Sequence, residues 1–99
     1  MKPMDIAAFR QSLSGAEPPP GLSVAQRALW WDAKGDPAAA HTHAQEDDTP
    51  AGAWVHAYLH RKEGDLPNAH YWYGRAGQSP AEGSLETEWH TILGALLGG

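Results

Sequence analysis

Apolar residues recur along the chain at the three- and four-residue spacing that is typical of amphipathic helices. Ile6, Phe9 and Leu13 mark one such stripe near the start of the chain. The clearest stripe lies near its end, at Leu85, Trp89, Ile92, Leu93, Leu96 and Leu97. The segment that follows Ser23 is apolar nearly all round, which predicts a central helix. Because no segment shows sustained β-strand alternation, the pattern predicts an all-α domain of about five or six short helices.

Residues that favour helix ends separate these stripes. Three pairs favour helix starts: a capping box at Ser23 and Gln26, and a capping residue before proline at Asp36-Pro37 and at Thr49-Pro50. Three glycines are expected to end helices: Gly35, Gly64 and Gly77. The predicted division is an N-terminal helix at 1–15, a proline-rich connector at 16–22, a first hairpin at 23–46, a second hairpin at 49–77 and a C-terminal helix at 84–97.

One short pattern occurs twice. Gly35-Asp36 recurs 29 residues later as Gly64-Asp65, and Ala40 recurs at the same offset as Ala69. In each copy the glycine can end one helix and the aspartate can cap the next. A small residue four positions after the aspartate lets the second helix pack closely on the first. The repeat therefore predicts two antiparallel helical hairpins.

The second copy has further residues at characteristic positions. Gly64-Asp65, Ala69, Trp72-Tyr73 and Ala76 stand at the spacing of a tetratricopeptide repeat, so residues 53–76 resemble that family and especially its Sel-one-like relatives. Residues 24–46 resemble it more weakly, since Ala44 stands where an aromatic residue is expected. The resemblance implies stacked hairpins capped by the first and last helices. A four-helix or irregular bundle with the same turns is the alternative.

Composition and charge narrow the classes of function. In this chain of 99 residues, 41% are hydrophobic and 19% charged, which indicates one globular domain. A net charge of −5 disfavours nucleic acid as a partner. The absence of cysteine excludes disulfides, thiolate metal sites and thiol nucleophiles. Because no apolar run approaches the roughly 18 residues of a membrane span, we expect a soluble, cytoplasmic protein with no membrane partner.

The histidines are the candidates for chemistry, and six is a large number for a chain of this length. His56 and His60 are four residues apart, so they share a helix face and can point at one ion. Glu63 continues that stripe, and His41 on the preceding helix is a further candidate ligand. Ala57 stands where a His-Glu-x-x-His protease has its general base, which disfavours that mechanism. No motif requires a cofactor, and a divalent metal is the candidate.

Two placements of His56 and His60 conflict. Helical periodicity makes Trp54, Val55 and Tyr58 part of the buried face, which leaves both histidines in solvent. The repeat resemblance instead implies that they lie in the hairpin core and face Ala69 and Tyr73, where they need hydrogen bonds or a metal. A solvated face, a hydrogen-bonded core cluster and a metal or catalytic site are all open at this stage.

The resemblance also implies a binding surface. It places Trp54, Tyr58, Arg61 and Lys62 on a concave groove that binds a peptide or partner protein. The favoured function is therefore a non-enzymatic interaction module, since no phosphate-binding glycine motif or nucleophile elbow occurs. The alternative is a histidine-lined pocket that binds a metal or acts on a small molecule. The C-terminal stripe either packs on the core or pairs with a second copy in a homodimer.

Overall fold

The structure, a computed structural model, describes residues 4–98 and has six helices within them. These helices are α1 (Ile6–Ser12), α2 (Val24–Ala33), α3 (Pro37–Glu46), α4 (Pro50–Lys62), α5 (Leu66–Ala76) and α6 (Leu85–Gly98). Residues 4–98 contain no strand, so the all-α prediction is confirmed. None of these six helices is both long enough and apolar enough to cross a membrane.

The helices begin where side chains accept hydrogen bonds from the first turn. Ser23 and Gln26 form both bonds of the capping box. The Gln26 backbone N–H donates to the Ser23 hydroxyl over 3.1 Å, and the Ser23 backbone N–H donates to the Gln26 side-chain oxygen over 2.8 Å. Asp36 caps α3 and Thr49 caps α4, each in front of a proline at the first helical position. These predicted starts are confirmed. Asp5, which the sequence analysis did not single out, caps α1 in the same way.

The two Gly-Asp turns have the same geometry. Gly35 and Gly64 adopt φ values of +85° and +83°, which side chains with a Cβ rarely adopt. After each glycine the aspartate donates its backbone N–H to a carbonyl in the preceding helix, over 3.0 Å at Asp36 and 2.9 Å at Asp65. Both turns reverse the chain, so that α3 packs on α2 and α5 packs on α4.

The main core joins the N-terminal and C-terminal helices to the hairpins. Phe9 of α1 meets Trp89 of α6 edge to face, with 5.8 Å between ring centroids. Trp30 is fully buried and donates its indole N–H to the Ser12 hydroxyl over 3.0 Å. The largest fully buried side chains of this core are Phe9, Leu29, Trp30, Val55, Ile92 and Leu93. Part of the C-terminal stripe is thus core, and its pairing with a second copy stays a prediction.

Helix α4 occupies the centre of the arrangement. It packs against α2, α3, α5 and α6, and a second small cluster of Ala57, Ala69 and Tyr73 fills its contact with α5. Helix α2, which the apolar pattern placed at the centre, packs against α3, α4 and α6. A helix with neighbours on several sides has no single solvent face, and this decides where its polar side chains lie.

Candidate metal centre

Three histidine side chains converge where α3 packs on α4. His41 comes from α3, and His56 and His60 come from α4. One ring nitrogen of each lies within 4.8 Å of the others. The ring centroid of His41 lies 4.9 Å from those of both other histidines, which are themselves 4.8 Å apart. The structure therefore brings together the three histidines that the sequence singled out.

Local sequence explains this convergence. His56 and His60 are separated by four residues of continuous helix, which aligns their side chains on one face of α4. Helix α3 approaches its neighbours closely because Ala40 and Ala44 are fully buried on it and have no bulk beyond Cβ. His41 directly follows Ala40 and reaches the histidine pair from the opposite helix.

A tryptophan from α5 packs against the cluster. The ring of Trp72 stacks on His56 with 4.1 Å between centroids and 25° between planes. The His60 ring also stacks on His56, at 22°. His56 is only 5% exposed, so its position is set by the rings packed around it. The sequence analysis treated Trp72 as part of the hairpin motif and did not assign it to this site.

Two carboxylates lie beside the cluster, both near the turn between α4 and α5. Glu63 Oε1 is 3.2 Å from His41 Nδ1, so the predicted neighbour Glu63 does contact the cluster. Asp65 Oδ2 is 3.6 Å from His60 Nδ1, which is beyond hydrogen-bond distance. That nitrogen is buried and has no hydrogen-bond partner among the described residues. The sequence analysis missed Asp65 as a neighbour of this site because it already had a role as a helix cap.

The surroundings of His56 keep its ring neutral. Burial, followed by the neighbouring His41 and His60, lowers the pKa of His56 to about 4. Near neutral pH the ring therefore retains an unprotonated nitrogen with a free lone pair. The pKa of Asp65 is also lowered, mainly by the hydrogen bond from the Asn68 side chain and to a smaller extent by His60. The cluster thus combines a neutral imidazole with an ionised carboxylate at its edge.

The expected chemistry of this arrangement is metal coordination by nitrogen. The Glu63 carboxylate can accept a hydrogen bond only if His41 carries its proton on Nδ1. The Nε2 of His41 then keeps a free lone pair that can bind a metal ion. Three imidazoles with one open position are the ligand set of several zinc sites. His43 is not part of the cluster, in agreement with its position two residues from His41 on the same helix.

Periodicity alone gave the wrong placement for the histidine pair. The amphipathic pattern put His56 and His60 in solvent, whereas His56 is buried and the His60 side chain is only 15% exposed. The pattern failed because α4 packs on several sides, so both its apolar stripe and its histidine stripe are covered. The burial that the repeat resemblance implied agrees with the structure, but its position does not. Ala57 meets Ala69 and Tyr73 in the hairpin core, whereas the two histidines lie where α3 packs on α4.

The four residues assigned to a peptide groove have partners within the chain. Tyr58 is buried and donates its hydroxyl to Asp32 over 2.9 Å. Lys62 bonds the other oxygen of Asp32, also over 2.9 Å. Arg61 pairs with Glu88 over 3.0 Å, and Trp54 is half-buried between the two hydrophobic clusters. Peptide binding by these side chains stays a prediction.

The partners of these groove residues are two buried carboxylates that the sequence analysis did not single out. Asp32 and Glu88 are each 5% exposed, and each bonds one tyrosine hydroxyl and one cation. Burial, followed by the nearby Asp32, raises the pKa of Tyr58, and burial with the hydrogen bond to Glu88 raises that of Tyr73. A signal was present, because both acids stand inside apolar helical stripes where a lone charge needs a buried partner.

No family model, no curated protein and no solved structure matches this chain. The likeness to tetratricopeptide and Sel-one-like repeats therefore stays a prediction. Because a fold does not define a function, the function of this chain has to be argued from the geometry of its site.

Proposed function

We propose that this protein binds one divalent transition-metal ion, Zn²⁺ in the first place, through a ring nitrogen of each of His41, His56 and His60. The observation that carries the proposal is the convergence of three imidazoles whose nitrogens lie within 4.8 Å of one another. Imidazole nitrogen suits Zn²⁺, Cu²⁺ and Ni²⁺, whereas Mg²⁺ and Ca²⁺ prefer oxygen. Three protein ligands leave the fourth position of a tetrahedral ion for water or a bound molecule.

The distances are close to those of a bound ion. With Zn–N bonds of about 2.0–2.1 Å, neighbouring nitrogens of a tetrahedral site lie about 3.4 Å apart. The widest separation is 4.8 Å, so the nitrogens need to close by at most about 1.4 Å. His41 and His60, with side chains 22% and 15% exposed, have room to turn. His56 is held by Trp72, so we expect it to be the fixed ligand toward which the other two move.

The neighbouring carboxylates support the same ion. A histidine that binds metal through one nitrogen normally donates its other N–H to a carboxylate or carbonyl, which fixes the ring and makes it a better ligand. Glu63 is placed to accept from His41, and a small movement would let Asp65 accept from His60. Their negative charges also offset the charge of the ion.

Metal titration of the full chain without a histidine tag tests the proposal. After treatment with a chelator, calorimetry with ZnCl₂ at neutral pH should give one ion per chain. His41→Gln and His60→Gln should each weaken binding by at least about tenfold, because a lost ligand costs more than a lost outer partner. His70→Gln, which changes an exposed histidine on α5, is the matched control and should bind as the unchanged protein does.

Spectroscopy gives an independent reading. Co²⁺ at the same site should give the intense visible absorption of a tetrahedral ion, and Cu²⁺ should quench tryptophan fluorescence because Trp72 stacks directly on His56. Circular dichroism of each variant shows whether it is folded. Absence of stoichiometric Zn²⁺ binding, or equal weakening by His70→Gln and His41→Gln, would refute the proposal.

A further inference from the structure

A second candidate site lies away from the histidines, in a cleft between α1, α2, α4 and α6. Its volume is about 390 Å³, which is within the range of small-molecule pockets. Apolar side chains form much of its wall: Leu13, Ala33, Leu85 and Trp89. We refer to this space as the α1–α6 cleft.

The negative charge inside the cleft is already paired. Asp32 is buried there, and its two oxygens accept hydrogen bonds from Tyr58 and from Lys62. Since both carboxylate oxygens are engaged, Asp32 offers little to a cationic ligand. Lys62 is half-exposed, and one of its three ammonium N–H groups donates to Asp32, so two donors remain.

The rim of the cleft carries a cation, Arg10, and an acidic residue, Glu86, which form no ion pair with each other. The Arg10 guanidinium lies 3.0 Å from His90 Nε2, and His90 Nδ1 lies 2.9 Å from the Glu86 carbonyl. Because a carbonyl only accepts, Nδ1 carries the proton, and Nε2 accepts from Arg10. His90 is therefore a neutral partner. No carboxylate of residues 4–98 forms an ion pair with Arg10, which leaves its charge and most of its N–H groups available.

Most of the hydrogen-bonding groups that have no partner in the cleft are thus N–H donors of Arg10 and Lys62. Arg10 and Lys62 both line the cleft, and cations of this kind favour an anionic acceptor such as a carboxylate, which a guanidinium can bind through two parallel bonds. Glu86 also lines the rim, and its charge disfavours a ligand with two negative charges. The apolar wall at Trp89 and Leu13 fits a hydrocarbon or aromatic body.

We propose that the α1–α6 cleft binds a small organic monocarboxylate, with the carboxylate at Arg10 and Lys62 and the apolar body against Trp89. The cleft contains none of the three clustered histidines, so a test of metal binding does not test this proposal. Its ligand is defined by one negative charge, a planar acceptor group and an apolar portion of the size of a phenyl ring.

Two-dimensional ¹H–¹⁵N NMR of the full chain tests this proposal with phenylacetate as the probe. Phenylacetate should shift the Trp89 indole N–H and the amides around Ala33 in a saturable way. The neutral phenylacetamide should bind at least about tenfold more weakly, because a hydrogen bond to a charged group is stronger than one to a neutral group. The cation phenethylammonium should not bind.

Two arginine variants test whether the charge of Arg10 binds the carboxylate of phenylacetate. Arg10→Gln removes an exposed side chain that is not part of the core, and it should weaken phenylacetate binding by about tenfold. Arg75→Gln makes the same change on an exposed face of α5 outside the cleft and should leave the affinity unchanged. The proposal is overturned if phenylacetate gives no saturable shifts, if the amide binds equally well, or if the two arginine variants have the same effect.

Discussion

Acidification should destabilise this protein through one buried residue, His56. In the folded state its pKa is lowered to about 4 by burial and by two neighbouring histidines, against 6.5 for an unperturbed histidine. As the pH falls below 6.5, the unfolded chain takes up a proton that the folded chain excludes. The stability is therefore fully present above pH 6.5, is lost progressively toward pH 4, and changes no further from this cause below that.

The size of the effect follows from the two pKa values. At about pH 7.5 His56 is neutral in both states and contributes nothing, whereas at about pH 5 the difference in proton binding costs about 2 kcal/mol. The full shift of roughly 2.5 pKa units corresponds to about 3 kcal/mol. For a chain of 99 residues this is a large part of the whole free energy of unfolding, which is about 5–15 kcal/mol for typical domains.

Urea denaturation at the two pH values measures this loss, with a chelator present so that metal does not contribute. The matched variant is His56→Phe, which keeps a flat ring against Trp72 but cannot be protonated. The unchanged protein should lose about 2 kcal/mol more than His56→Phe between about pH 7.5 and pH 5. His70→Gln should behave as the unchanged protein. If the unchanged protein and His56→Phe lose the same free energy, the pKa argument is wrong.

Substitutions at four other positions should change the free energy of unfolding, measured in urea at neutral pH. Gly64→Ala should lower the free energy of unfolding by about 1 kcal/mol because φ at Gly64 is +83°. Gly74→Ala, whose added Cβ meets nothing within 4 Å in α5, should raise it by about 0.5 kcal/mol. If Gly64→Ala were the more stable variant, the turn geometry would be wrong. Gly52→Ala should lower the free energy of unfolding by about 2 kcal/mol because the added Cβ overlaps Asp47. An unchanged urea midpoint would show that the backbone at Asp47 moves away at no cost. Glu88→Ala should cost about 3 kcal/mol, because the largely buried Arg61 loses its only carboxylate partner among residues 4–98 and the Tyr73 hydroxyl loses its acceptor. A loss below about 1 kcal/mol would show that water replaces the carboxylate.

The helices were predictable because their ends are encoded locally. A capping side chain such as Ser23 or Thr49 acts within its own first turn, and Gly35 acts on the turn that contains it. No distant contact is needed for either effect. The predicted hairpins therefore agree with the helices to within a few residues, whereas the cap at Asp5 was not predicted.

The surroundings of α4 were harder to predict because they depend on which helices pack beside it. Periodicity assumes one buried face, and it therefore placed His56 in solvent. The repeat resemblance placed Arg61 and Lys62 on a groove, where they would be free to bind a ligand. In the structure each of these side chains meets a neighbour from another helix. The repeat resemblance implied that His56 is covered, but these three neighbours come from α3, α6 and α2, which lie outside the hairpin of α4 and α5.

Hydrogen bonding around α4 finally distinguishes the histidine face from its other two polar faces. Toward α2, Tyr58 and Lys62 both bond Asp32, and toward α6, Arg61 bonds Glu88. Polar groups buried within proteins normally have such partners, and one that lacks them requires an explanation such as a bound ion or water. Toward α3, the Nδ1 of His60 is buried and has no hydrogen-bond partner among residues 4–98, and the His56 ring packs against the rings of His41, His60 and Trp72. An imidazole that binds a metal through Nε2 carries its proton on Nδ1, so metal binding would make this nitrogen a donor to Asp65 after a small movement, and for this reason we propose the functional site there rather than at the arginine and lysine.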